Sequence, residues 1–112
     1  MVGKDGIIIK DGQIILNSGE KLSIESLIEE ASRACFIRNQ YFKDTSIRIL
    51  ESSRVVFENC FFENIFFENC DLREISFKNH TVIRNCTLRR CNLNGTFFMT
   101  VTLYRLSSFL VR

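Results

Sequence analysis

The hydrophobic positions in the middle of the chain recur every five residues. Residues 55–74 read VVFEN, CFFEN, IFFEN and CDLRE, and the first three of these blocks place Phe third, Glu fourth and Asn fifth. A period of five matches neither the alternation of a flat strand nor the repeat of an α-helix. The pattern predicts a chain that turns every five residues and stacks on itself as a solenoid.

The same phase extends from residue 35 to residue 110, with one inserted residue at His80. The third position of each block is large and apolar except at Ser52 and Ser108, and every Cys falls at the first position. These two positions are therefore predicted to point inward. Residues at the fifth position that tolerate a left-handed backbone are predicted to form corners: Asn39, Asn59, Asn64, Asn69, Asn79, Asn85 and Gly95.

Residues 1–34 lie outside this phase and are predicted to cap the solenoid. Two apolar runs within residues 6–16 flank an Asp-Gly pair, which predicts a β-hairpin. The next segment begins at Ser23, a favourable helix N-cap, and predicts a short amphipathic α-helix. Its helically spaced apolar residues are Ile24, Leu27, Ile28 and Ala31. We expect one structural domain, with the cap at 1–34 and the solenoid at 35–112.

Charge is distributed in blocks along the chain, although the net charge is only +2. An acidic block at 55–74 lies between two basic ones, and no acidic residue follows Glu74. If four blocks make one coil, residues 20 apart, or 21 across His80, fall in one column. Three fourth-position columns then alternate in sign, which predicts charge pairing that fixes the stacking register: Arg38–Glu58–Lys78, Lys43–Glu63–Arg84 and Arg48–Glu68–Arg89.

The five-residue pattern resembles that of the pentapeptide-repeat family, whose consensus is roughly A-D/N-L-x-x. The blocks CDLRE and CNLNG carry the resemblance best, and it covers about residues 35–110. Other blocks depart from the family by using Cys, Ile, Val or Thr first and aromatic residues second. The resemblance implies an all-β solenoid, a right-handed quadrilateral β-helix of about 3.5–4 coils with four blocks to a coil.

Candidate catalytic and metal-binding residues are few. His80 is the only histidine, and an inserted bulge residue explains it better than a general base or a metal ligand does. Cys70 and Cys91 share a column, but inward Cys behaves as a small hydrophobe and favours core packing over metal binding. The carboxylates of Glu58, Glu63 and Glu68 fall on three different sides of one coil. We expect no enzymatic activity, no cofactor and no metal.

Large apolar residues at the outward second position predict a contact surface. Tyr41, Phe61 and Val82 fall in one column, and Phe66 falls on the next side. They indicate a partner-binding patch, with corner packing or cover by the N-terminal cap as the alternative. The primary hypothesis is a non-catalytic scaffold that binds an unidentified protein partner.

Two other functions stay open at this point. The resemblance implies a DNA-mimic that binds or inhibits DNA gyrase or topoisomerase, although a short stack with surplus positive charge fits mimicry poorly. The acid-free half of the chain offers a basic surface for direct nucleic-acid binding, made of Arg84, Arg89, Arg90 and Arg105.

The C-terminal stretch and the cysteines bear on assembly and location. The apolar end predicts a homodimer through the last coil, with Phe109, Leu110 and Val111 as its contacts. An odd number of Cys, without C-x-x-C spacing, predicts reduced thiols. Without a signal peptide or a membrane-spanning apolar run, we expect a cytoplasmic protein with no membrane partner; export by a non-cleaved signal stays open.

Overall fold

The computed structural model of the chain describes residues 6–10, 13–16, 21–22, 25–29, 32–50 and 55–109. Every regular element in these residues is a β-strand, and no helix occurs among them. The strands are β1 (Ile7–Lys10), β2 (Gln13–Leu16), β3 (Lys21–Leu22), β4 (Glu25–Glu29), β5 (Ser32–Arg38), β6 (Tyr41–Lys43), β7 (Ser46–Ile49), β8 (Val55–Glu58), β9 (Phe61–Glu63), β10 (Phe66–Glu68), β11 (Ser76–Lys78), β12 (Val82–Arg89), β13 (Phe97–Met99) and β14 (Thr102–Phe109).

Parallel pairing between distant residues stacks the chain into a β-solenoid of about three turns. Ile37 pairs with Phe57, Phe57 with Phe77, and Phe77 with Phe98. The offset is 20 residues before His80 and 21 across it, so each turn takes four five-residue blocks. The solenoid and its register are as the sequence predicts. We call the coils that begin at residues 35, 55, 75 and 96 the first to fourth coils.

Each coil contributes strand residues to each of three sides. The first side consists of β5, β8, β11 and β13. The second side contains β6 and β9, and the third contains β7 and β10. In the third and fourth coils, β12 and β14 run continuously from the second side to the third. The fourth side has no regular strand among the described residues, and a single parallel bridge joins Asp71 to Asn92 there.

Left-handed backbone at the fifth position turns the chain. All seven predicted corner residues have positive φ, from 50° at Asn59 to 80° at Gly95. Five further corners take this conformation: Asp44, which adopts it readily, and Glu74, Arg90, Thr100 and Arg105, which adopt it less readily. His80 follows the corner residue Asn79 with φ 70°, and its N–H donates to the carbonyl of Thr100 at 2.9 Å. The inserted histidine therefore widens a corner without breaking the stack.

Inward first and third positions build one continuous apolar core. Phe57, Phe62 and Phe67 are fully buried. Phe57 stacks on Phe77 with ring centroids 5.1 Å apart, and Phe77 stacks on Phe98 at 5.2 Å. The free thiols at first positions are buried in the same core, and they belong to Cys60, Cys70, Cys86 and Cys91.

At the ends of the stack, some side chains at the inward first and third positions are exposed. Leu50 in the first coil is 46% exposed, although it occupies a first position. Phe98 and Leu103 in the fourth coil are 40% and 48% exposed. In the described part of the chain, no strand covers β13 or β14 from the far side. The last coil thus presents core-type side chains at an open end.

The N-terminal strands extend the sheets of the solenoid. β1 pairs antiparallel with β2, in agreement with the predicted hairpin, while its Asp11-Gly12 turn lies outside the described residues. β1 also pairs in parallel with β7, aligning Ile7 with Ile47 and Ile9 with Ile49. It therefore adds a further rung to the third side, and Ile7 and Ile9 are buried.

The α-helix predicted after Ser23 is wrong for the residues that are described. Glu25–Glu29 forms β4, which pairs antiparallel with β5 from Glu25 opposite Phe36 to Glu29 opposite Ser32. A helix here would leave the outer edge of β5 with unpaired N–H and C=O groups, and β4 satisfies them instead. β5 also runs across the predicted boundary between residues 34 and 35.

Phe77 and Phe98 occupy equivalent positions in one column, but only Phe77 is fully buried. Truncating each ring tests whether burial or position in the repeat determines its contribution to stability. We expect Phe77→Ala to lower the free energy of unfolding by about 3–5 kcal/mol, because the ring is fully packed. Phe98→Ala, in the same column but 40% exposed, will cost about 1–2 kcal/mol. Urea unfolding followed by circular dichroism measures both values at protein concentrations at which the chain is monomeric, and equal losses there would contradict an open last coil.

Candidate partner-binding surface

The second side presents an ordered aromatic column on its outer surface. Tyr41 pairs in register with Phe61, and Phe61 with Val82, so the structure brings three predicted residues together. The rings of Tyr41 and Phe61 are stacked with centroids 4.8 Å apart and planes at 4°. Tyr41 is 59% exposed, while Phe61 and Val82 are partly buried. The described N-terminal residues therefore leave Tyr41 accessible.

Phe66 lies on the adjacent third side, as its position in the repeat predicts. It pairs in register with Ser46 and Thr87 and is partly buried. We call the four residues Tyr41, Phe61, Phe66 and Val82 the Tyr41 surface. The structure thus divides this surface between two sides, with its most exposed aromatic ring on the second.

A hydrogen bond to the neighbouring coil holds Tyr41 in place. Its hydroxyl donates to Glu63 Oε1 at 2.6 Å, and this bond raises the pKa of Tyr41 above its usual value. Lys43 Nζ and Arg84 Nη1 lie 3.9 and 4.0 Å from the same carboxylate. The ring is therefore fixed by a stacked neighbour and by a charged acceptor before any partner binds.

The predicted charge columns are present by register, and two of them contain ion pairs. Arg38 Nε lies 2.8 Å from Glu58 Oε1. This hydrogen bond is the main cause that lowers the pKa of Glu58, and Asn79 also donates to the same carboxylate. In the third column, Glu68 pairs in register with Arg89. No ion pair within 4.0 Å joins the described residues of that column.

The four predicted basic residues all lie on the third and fourth coils. Arg84 and Arg89 point outward from β12, and Arg90 and Arg105 occupy corners. Sequence reasoning missed Tyr104, which pairs in register with Arg84. The guanidinium carbons of Arg84 and Arg105 lie 5.6 and 5.4 Å from its ring centroid. The sequence could have indicated this contact, because Tyr104 follows Arg84 by 20 residues and therefore falls in the same column.

Among the described residues, the fourth coil carries most of the large apolar side chains that are exposed. Of the three residues predicted for self-association, Phe109 ends β14 and its side chain is outside the description, as are Leu110 and Val111. An apolar recess opens among core side chains of the second to fourth coils, including Leu93, Phe98 and Leu106. The large exposed side chains of this coil are Phe97, Phe98, Met99, Leu103 and Tyr104.

Two thiols lie close together in the core. Cys70 and Cys91 occupy one column, and the neighbouring Cys91 thiol together with burial raises the pKa of Cys70. The Sγ atom of Cys70 also lies 3.1 Å from the carbonyl oxygen of Ile47. Within the described ranges, no three His, Cys, Asp or Glu side chains converge as metal ligands.

Comparisons with known proteins leave the family open. No protein-family model matches the chain, and no curated protein matches it significantly. None of the described residues belongs to a helix that is long and apolar enough to cross a membrane.

The hydrogen bond between Tyr41 and Glu63 is testable by titration, because the chain contains two Tyr and no Trp. In a Tyr104→Phe background, phenolate absorbance reports Tyr41 alone. We expect its midpoint to lie above the ordinary value of about 10, because the phenol donates a hydrogen bond to Glu63 that ionisation would break. Adding Glu63→Gln should move the midpoint back towards that value, and an unchanged midpoint would exclude the bond.

Proposed function

We propose that the protein is a non-catalytic binding scaffold whose Tyr41 surface engages a protein partner. The observation that carries this proposal is the exposed Tyr41 ring, stacked on Phe61 and hydrogen-bonded to Glu63. Tyr is enriched among the residues that dominate protein–protein affinity. A ring that is already immobilised loses little conformational freedom on binding. A Tyr41 ring that is exposed and fixed in place is therefore better suited to binding a partner than to stabilising the core.

The proposal includes a pentapeptide-repeat fold, a right-handed quadrilateral β-helix. Four blocks per turn and left-handed corners at most of the described fifth positions support this form. Buried apolar third positions such as Phe57 and Leu72 support it as well. Free thiols in the core favour a reducing compartment, and we therefore propose a cytoplasmic location.

The alternative of a DNA-mimic that binds gyrase or topoisomerase has less support. Such mimicry needs an uninterrupted row of acidic groups that stands in for phosphates. Glu58 pairs with Arg38, and Glu63 lies close to Lys43 and Arg84. The acidic second coil is thus largely neutralised by its neighbours.

The exposed apolar side chains of the fourth coil support self-association through that end, with a second copy of the chain as the occupant. Phe98 and Leu103 belong to columns that are buried in the preceding coils at Phe77 and Ile83. The same end of a second copy would supply an equally flat, apolar surface and would also cover the open edges of β13 and β14.

Partner capture tests the Tyr41 surface. Immobilised wild-type protein is compared with Tyr41→Ala by quantitative mass spectrometry of the proteins retained from a cell extract. We expect the specific partner to be lost or depleted at least tenfold, because truncation removes both the ring and its bond to Glu63.

Tyr104→Ala is the matched control, since Tyr104 is an exposed tyrosine on the same side at the other end of the stack. It should retain the partner. Equal retention by both variants and the wild type would place the contact elsewhere and overturn the proposed site.

Light scattering coupled to size-exclusion chromatography tests the homodimer. We expect Leu103→Lys to convert a dimer to a monomer, because it puts a charge into the apolar end of the fourth coil. Thr102→Lys, next to it on β14, adds the same charge to an exposed outward position and should leave the dimer intact. A wild-type protein that is monomeric at high concentration would contradict the proposal.

A further inference from the structure

The third and fourth coils carry a ridge of exposed cations that neither the core nor the Tyr41 surface uses. We define the arginine ridge as Arg84, Arg89, Arg90 and Arg105, all of which are exposed. Arg84 lies on the second side, Arg105 at the corner between the second and third sides, and Arg89 on the third side. Arg90 occupies the next corner. The ridge therefore bends around the solenoid.

Two members of the ridge occupy corners that disfavour arginine. Arg90 and Arg105 both have φ 54°, a left-handed conformation that Asn adopts more readily than residues with long side chains. In the preceding coils, the corresponding corners are Asn69 and Asn85, at φ 52°. Arginine at these corners thus replaces a better-suited residue without gaining burial.

The acidic residues near the ridge neutralise only part of it. Arg84 lies 4.0 Å from Glu63, a carboxylate that also accepts a hydrogen bond from Tyr41, and Arg89 is in register with Glu68. By contrast, the column neighbours of Arg90 and Arg105 are the uncharged corner residues, and no acidic residue follows Glu74 in the sequence. The ridge is therefore a positive surface that neighbouring carboxylates compensate only in part.

Tyr104 adds a stacking surface to the charge. It is 48% exposed, and its ring contacts the guanidinium groups of Arg84 and Arg105. Aromatic rings and guanidinium planes are the groups on which unpaired bases stack. A flexible single strand can follow a ridge that bends around two corners, whereas a stiff duplex cannot.

We propose that the arginine ridge and Tyr104 bind single-stranded nucleic acid. The arginines contact successive phosphates, and one unpaired base stacks against the cluster of Tyr104, Arg84 and Arg105. This activity goes beyond the scaffold function, because it uses the opposite end of the stack from Tyr41 and requires no protein partner. RNA and DNA strands share the chemistry that the ridge recognises, so both serve as probes.

Fluorescence anisotropy with the full chain and fluorescein-labelled oligouridylate and oligothymidylate of about 12 nucleotides tests the proposal. Four phosphate contacts predict a slope of about −3 in a plot of log affinity against log salt, so affinity falls about 50-fold between about 50 and 200 mM salt. A contact to the ribose 2′-hydroxyl would make the RNA probe bind more tightly, and equal affinities would assign recognition to phosphates and bases alone. Both results support the proposal.

The informative variant is Arg90→Asn/Arg105→Asn, because Asn is the residue that the equivalent corners already use. We expect it to unfold at the same or a higher urea concentration than the wild type, to bind either probe at least tenfold more weakly, and to halve the salt slope. Tyr104→Leu keeps the charge and should weaken binding about tenfold through loss of stacking.

Arg73→Asn is the control for the loss of an exposed arginine outside the ridge, since Arg73 is exposed on the second coil and paired with Asp71. It should bind as the wild type does. The proposal is overturned by absence of binding at low salt, by an equal loss in Arg73→Asn, by tighter binding of a duplex of the same length, or by an unaltered affinity in Tyr104→Leu.

Discussion

The alignment of each residue with the one 20 or 21 positions further along is the constraint on which the rest of this structure depends. Backbone groups bond from coil to coil, as when Asn39 N–H donates to Glu58 and Phe61 N–H to Gln40. Among the described residues, no buried side-chain nitrogen or oxygen lacks a hydrogen-bond partner. A slip of one residue would turn the third-position phenylalanines outward and separate the charge pairs. The stacking register therefore determines which side chains form the core and which form the surface.

The apolar core alone does not choose this register, because several columns contain the same side chain in successive coils. A shift by one whole five-residue block would still place an apolar third-position side chain on Phe57. Specificity comes from groups that tolerate only one alignment: the left-handed corners, the Arg38–Glu58 pair and the buried Thr81. Thr81 Oγ1 donates to the carbonyl of Lys78 at 2.9 Å and accepts from Cys60 N–H at 3.2 Å. This threonine restores the phase immediately after the inserted His80.

The solenoid was predictable because its signal is repeated in every coil, so one atypical block such as LESSR does not obscure the phase. The N-terminal segment offered no such redundancy. Ser-Ile-Glu-Ser-Leu-Ile fits a helical face, yet the unpaired edge of β5 determined that Glu25–Glu29 forms a strand. The column of Tyr41, Phe61 and Val82 followed from register. Its accessibility did not, because exposure depends on where the stack ends. Tyr104 escaped prediction because its role depends on the reach of two arginine side chains.

The early and late coils differ in how many of their charged side chains are paired and how many of their apolar side chains are buried. This difference locates the candidate binding surfaces. In the second coil, Glu58 and Glu63 find cations above or below them, and the third-position rings are buried. In the third and fourth coils, arginine takes corners at which other coils place Asn, and core-type side chains such as Leu103 are exposed. A stacked repeat stabilises each coil through its neighbours, so groups without a neighbour of suitable chemistry contribute least to folding. Those groups are the candidates for binding other molecules, and in the last two coils they form an apolar end and a basic rim.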